Sequence, residues 1–157
     1  MSEIKLDQSD NLSGISSVEF IPFIYVTSIP SLTDGAIIES AIMLKQGYSF
    51  SEIELQRNTG QEETNKVETD GGDIFKYSLK LRFPKETKTT TKLINELCAI
   101  PLILKVTDMN GIKKIIGSND NRVKCTYTIV KNSNVSGFNG YQFTFTYEST
   151  ELPAYLE

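Results

Sequence analysis

The stretch Tyr141-Gln142-Phe143-Thr144-Phe145-Thr146-Tyr147-Glu148 places an aromatic ring at every second position and a hydrogen-bonding side chain between each pair of rings. A period of two marks a strand buried on one face and wet on the other, whereas a helix repeats its apolar residues every three or four positions. Two earlier stretches carry the same period: Phe75, Tyr77, Leu79, Leu81 and Phe83, then Val123, Cys125, Tyr127 and Ile129. The large side chains are thus committed to a sheet. The expected fold is mainly β, an antiparallel β-sandwich or barrel, with one short α-helix packed on the sheet.

Working outward, Asn110-Gly111 is the strongest hairpin signal, joining a strand over 102–109 to a partner over 112–117. Upstream, Thr87–Thr91 supplies hydroxyl caps for a helix. Its apolar stripe is Leu93, Leu97 and Ile100, widened by Ile94 and Cys98, and Pro101 ends it. Residues 18–29 read as a strand covered on both faces, tempered by Pro22, which favours an edge or a bulge. A second strand is expected over 36–44, and a third, half-exposed one where Ile53 and Leu55 alternate with Glu52, Glu54 and Gln56. Residues 57–65 hold no apolar side chain and read as an exposed loop or hairpin tip. A weak strand, 66–69, then meets the turn Asp70-Gly71-Gly72-Asp73. The implied organisation is an extended arm at 1–17, one β-rich domain at 18–150 and a short apolar tail at 151–157.

A chain of 157 residues suits a single domain burying ~70% of its unfolded surface, enough to need neither disulfide nor metal. Cys98 and Cys125 fall at apolar positions and are therefore expected in the core and reduced. Sixteen basic against twenty acidic residues leave a net charge of −4, which argues against broad phosphate-backbone binding. No apolar run reaches membrane-span length, and the first residues do not form a signal peptide, so a cytoplasmic site of synthesis is expected.

The sequence carries no recognisable catalytic chemistry. There is no histidine to activate the plentiful Ser and Thr, and Gly71-Gly72 lacks the spacing of a phosphate-binding loop. The acidic pairs Glu62-Glu63, Asp70 with Asp73, and Asp120 near Asp108 lie in turn-like segments, where solvated carboxylates are commoner than metal ligands. Neither enzyme activity nor a cofactor or metal is expected. Lys76, Lys80 and Arg82 share one strand face, read first as the wet side of an antiparallel sheet paired to glutamates, a face that would also suit a subunit interface. The aromatic stripe reads as core, with a stacking platform as the alternative.

The run Cys98-Ala99-Ile100-Pro101-Leu102-Ile103-Leu104-Lys105-Val106-Thr107-Asp108-Met109-Asn110-Gly111 is followed by Ile115-Ile116-Gly117-Ser118. After a further strand come Gly137-Phe138-Asn139-Gly140-Tyr141-Gln142-Phe143-Thr144-Phe145 and the closing Leu152-Pro153-Ala154-Tyr155-Leu156. This layout, over roughly residues 93–157, resembles small structural proteins of tailed phages and prophages of gut Bacteroidetes, including crAss-like phages. The resemblance implies a virion location and a tail-tube-like β-sandwich with a flanking helix. It implies a ring or sleeve at the neck or tail, a portal-tail connector or tail tube, through which DNA passes without sequence-specific binding. The partners implied are further copies of the chain and other neck or tail proteins, with no membrane. Interface candidates are Lys76, Lys80 and Arg82 on the basic strip, Glu62 and Glu63, and Leu152, Tyr155 and Leu156 in the tail. The competing reading is a cytoplasmic, non-enzymatic binding module that uses the aromatic strand face or the 57–65 loop.

Overall fold

A computed structural model of the chain describes residues 12–54 and 60–157. The aromatic stretch forms β11 (Asn139–Ser149), flanked on one side by β10 (Lys124–Lys131) and on the other by β7 (Gly72–Pro84), which pairs in turn with β6 (Gln61–Thr69). Because the pleat alternates, all four rings of β11 point one way, and Tyr141, Phe143, Phe145 and Tyr147 are buried. Leu79 and Leu81 of β7 and Cys125 of β10 join them on that face.

The facing sheet has six strands. Its order is β3 (Ala36–Ile37), β12 (Ala154–Leu156), β9 (Lys113–Ile116), β8 (Leu102–Asp108), β1 (Ile15–Pro22) and β5 (Ser51–Ile53). Val18, Leu102, Leu104, Val106 and Ile116 close the core against the aromatic sheet. The alternate residues Ile21, Ile103 and Ile115 face the other way, into a second core covered by Phe23, Tyr25, Val26, Leu32, Ile42, Leu44 and Phe50. A sheet buried on both faces explains why Leu102-Ile103-Leu104 reads as a continuous apolar run. Mainly-β architecture with one helix is therefore what the chain adopts. Its named strand pairs are antiparallel except β12 with β3, which is parallel.

The helix α1 (Lys88–Cys98) is capped by Thr87, whose hydroxyl oxygen accepts the Thr90 N–H at 3.1 Å. Only part of the expected stripe packs. Ile94 is buried and Leu97 and Cys98 lie against the core, while Leu93 and Ile100 stay exposed. Cys98 is joined to Cys125 of β10 by a disulfide, which corrects the reduced state expected for this pair. The two residues are 27 apart in sequence, and the helix docks beside β10 with their Cα atoms 4.6 Å apart, inside the span a disulfide bridges.

Other boundaries differ from the sequence reading, each for a topological reason. The single strand expected at 36–44 is β3, a 3-10 helix (Glu39–Ala41) and β4 (Met43–Leu44), because the Glu39 carboxylate turns inward to Lys105. The strand expected over 18–29 ends at Pro22, passes through a 3-10 helix (Phe23–Tyr25) and resumes as β2 (Val26–Ser28), paired with β4. Residues 61–65 are not loop but the start of β6, an edge strand held by its backbone ladder to β7 and so free of any need for apolar side chains. Residues 15–17 belong to β1 rather than to an arm, and the tail folds in as β12 between β3 and β9. Residues 1–11 of the arm, and the part of the third strand and of the polar segment at 55–59, lie outside the described residues.

Candidate functional site

The basic strip occupies the outer face of the four-stranded sheet. In register across β11, Lys76 lies opposite Glu148, Lys80 opposite Thr144 and Arg82 opposite Gln142. The glutamate partner expected for the strip is present only at Lys76, whose ammonium is 3.8 Å from Glu148 in a solvated pair of small energetic weight. Among the described residues, neither Lys80 nor Arg82 has a carboxylate within ion-pair distance; the Arg82 guanidinium instead lies over the Phe138 ring at 5.0 Å. β10 extends the rows with Lys124 opposite Thr146, Thr126 opposite Thr144 and Thr128 opposite Gln142. The result is a face of hydroxyls and amides on which Lys76 is paired with Glu148, while Lys80, Arg82 and Lys124 have no carboxylate within ion-pair distance among the described residues.

The two glutamates of β6 part company, since successive residues of a strand point to opposite faces. Glu63 is exposed opposite Ser78. Glu62 turns inward, where Lys114 Nζ donates to Oε1 at 2.9 Å and the Tyr77 hydroxyl donates to Oε2 at 3.1 Å. Burial, first, and the adjacent Glu62 charge push the Tyr77 hydroxyl far above its ordinary pKa, so it stays a donor. Glu62 is thus a clamp between the two sheets. Leu156 is half-buried against the second core. Leu152 and Tyr155 remain exposed, and the Lys114 ammonium lies 5.6 Å from the Tyr155 ring centre.

The aromatic stripe is core and offers no stacking platform. Of the acidic pairs, Asp73 bonds Lys66 at 2.9 Å, and Asp108 accepts the Asn110 and Ile112 N–H groups at 2.9 Å each, which is turn chemistry. Among the described residues no group of three or more His, Cys, Asp or Glu is placed to hold a metal, and no helix is long and apolar enough to cross a membrane.

Two features were not read from the sequence. On the outer side of the six-stranded sheet, Lys105 lies between Glu19 at 3.0 Å and Glu39 at 2.9 Å, with its ammonium over the Phe50 ring. The hydrogen bond from Lys105 holds the Glu39 carboxyl below its ordinary pKa. Burial works to lower Lys105, but its hydrogen bonds to Glu39 and Glu19 outweigh that and leave it raised. The second feature is an apolar groove of about 440 Å³ between α1 and β5, floored by Phe20, Phe83 and Leu97 and edged by Leu93 and Ile100. Glu52, Glu54 and Glu96 stand on its rim. The alternation Glu52-Ile53-Glu54 was the available signal for it, though only the docked helix turns that strand into one wall of a groove.

Compared with family models, with curated proteins and with solved structures, the chain matches none.

Proposed function

We propose that the chain is a structural subunit of a phage virion, repeated as a ring or sleeve at the neck or tail around the path of the DNA. The observation that supports this reading is that one subunit bears two unlike charged surfaces. A face on which Lys80, Arg82 and Lys124 have no carboxylate within ion-pair distance among the described residues lies on the four-stranded sheet, and Glu52 and Glu54, with Glu96 paired to Lys92 at 3.9 Å, border the groove between α1 and β5. Head-to-tail repetition requires two different complementary patches, and a rotation that closes turns them into a ring. The layout of residues 93–157 adds the resemblance to phage neck and tail proteins, with a tail-tube-like role for the sandwich. Assembly also fits a protein whose polar clusters are structural rather than convergent on a reacting centre.

Light scattering on Lys80→Glu/Arg82→Glu beside the native chain tests it. Native assemblies that fall to monomers in the variant support the reading, and a native chain that stays monomeric at high concentration refutes it. The groove favours a second reading, a binding module for a separate protein, which predicts a monomer that captures its partner one to one.

A further inference from the structure

We infer that a cavity of about 400 Å³ beside β3 and β12 binds a short linear diamine, its ammonium groups on Asp120 and Glu151 and its methylenes over a buried apolar floor. The walls come from residues 29–32, 117–121 and 149–154, all of them described. They stand at the β3 edge of the six-stranded sheet, opposite the edge formed by β5.

The cavity is built from locked loops. The Asn119 side chain joins two walls, accepting the Ile29 N–H at 3.1 Å and donating to the Ile29 carbonyl at 3.0 Å, as a neighbouring strand would. The Ser118 N–H donates to the Asn121 carbonyl at 2.7 Å, and the Asn121 N–H donates to Ser118 Oγ at 3.1 Å, which fixes the turn that carries Asp120. On the third wall the Glu151 N–H donates to Ser149 Oγ at 3.2 Å. Preformed walls favour binding, because loops that order only when a ligand arrives subtract from its affinity.

Two observations specify the ligand. The floor is apolar, with Ile29, Ile37, Ile115 and Ala154 all buried, and Tyr147 adds one hydroxyl to it. Tyr147 is 6% exposed and points inward with the other rings of β11. A buried phenol normally finds a partner, as Tyr77 and Tyr141 do, yet the Tyr147 hydroxyl has none among the described residues. No described side-chain oxygen sealed from solvent lacks a partner, so this hydroxyl reaches open space, and on the inner side of β11 that space is the cavity.

The second observation is charge. The described lining holds two carboxylates, Asp120 and Glu151, and no lysine or arginine, and neither carboxylate has a described cation within ion-pair distance. Solvated carboxylates on turns are common and alone would carry nothing; here they border the same cavity as a buried, unbonded hydroxyl. Anions are repelled from such a site, and a metal ion finds no group of three ligating side chains among the described residues. An ammonium offers three donors and no acceptor, which suits carboxylates and a phenol oxygen. The two carboxylates stand on separate walls, so a diamine supplies one ammonium to each while its methylenes cover the isoleucines. The inference goes beyond the ring reading, since it uses neither the Lys80 face nor the groove at β5.

The test is titration of the full chain with 1,4-diaminobutane at low salt, read by amide chemical shifts, beside butylamine and the neutral 1,4-butanediol. The expected result is saturable shifts confined to 29–32, 117–121 and 147–154, with affinity ~10-fold lower for butylamine and for Asp120→Asn/Glu151→Gln. Tyr147→Phe removes no hydrogen bond among the described residues, so it should keep the native Tm while binding the diamine at least ~3-fold more weakly. Diol or butylamine binding as tightly as the diamine, shifts centred elsewhere, or no saturation at millimolar diamine would overturn the inference. Unchanged affinity in Tyr147→Phe would overturn it too. Whether the native chain forms rings does not enter this readout, which keeps the two readings separable.

Discussion

Replacing Tyr141 by Phe should loosen the helix while leaving the core packed. The ring of Tyr141 is fully buried, and phenylalanine fills the same volume. What is lost is a hydroxyl that accepts the Thr87 N–H at 3.2 Å, lies 2.6 Å from Thr91 Oγ1 and donates to the Thr87 carbonyl at 3.1 Å. Those contacts fasten the first turn of α1 to the central strand β11. A net hydrogen bond contributes about 0.5–1.5 kcal/mol, and an abandoned buried partner costs about 1–3 kcal/mol. Thr87 is exposed and regains water, so the lower part of that range applies, about 1–2 kcal/mol for the whole substitution. In a domain of this size such a loss lowers Tm by about 2–8 °C. Urea unfolding followed by circular dichroism should show a lower midpoint with an unchanged slope. Thr87→Ala, which removes the cap accepting the Thr90 N–H, should cost about 1 kcal/mol and combine non-additively with Tyr141→Phe, because both act on one turn. A loss below ~0.3 kcal/mol, or strict additivity of the pair, would refute the view that the aromatic stripe anchors the helix as well as filling the core.

Three further outcomes follow from the geometry. Gly140→Ala should destabilise by more than about 3 kcal/mol, measured by the same urea titration, since Gly140 has φ +152° and a methyl there would run into the Phe83 carbonyl and approach Pro84 Cα at 3.0 Å. Cys98→Ser/Cys125→Ser, and equally the native chain in excess reductant, should lose about 3–4 kcal/mol, the loop-closure value for a separation of 27 residues. The Lys105 cluster should shape stability against pH at both ends. The depressed Glu39 carboxyl contributes above its unfolded pKa, and the contribution disappears as pH falls through the folded value; that of raised Lys105 is present below its unfolded pKa and disappears as pH rises through its folded value. In Lys105→Met the Tm gap to the native chain should therefore narrow as pH drops from 6 to 3, and a constant gap would rule the linkage out.

What the sequence made legible was local. The period of two in Tyr141–Tyr147, a hydroxyl cap within Thr87–Thr91, which the fold sets at Thr87, and the turn at Asn110-Gly111 are short-range codes, and each is found within the stretch where it was read. Elements without such a code were read in part or missed. Only the end of β6, 66–69, was read as strand; its start at 61–65 has no apolar residue because an edge strand satisfies its ladder through β7, so Glu62 gave no sign of turning inward to Lys114. β12 is held by pairing with residues 36–37 and 114–115, far from it in the chain. The helical stripe was read at full width, whereas tertiary placement chose Ile94, Leu97 and Cys98 and left Leu93 and Ile100 outside. The disulfide was read as two apolar cysteines because sequence distance does not show that a helix end will dock beside β10. The groove is of the same kind, since β5 and α1, far apart in the chain, line it together only in the fold.

The most direct test of the assembly account is the solution mass of the purified chain by light scattering across a concentration series, with electron micrographs of the same sample. The account predicts a mass that is a fixed multiple of the single chain, with rings or short tubes in the micrographs. A single-chain mass at every concentration, with no closed particles, would contradict it.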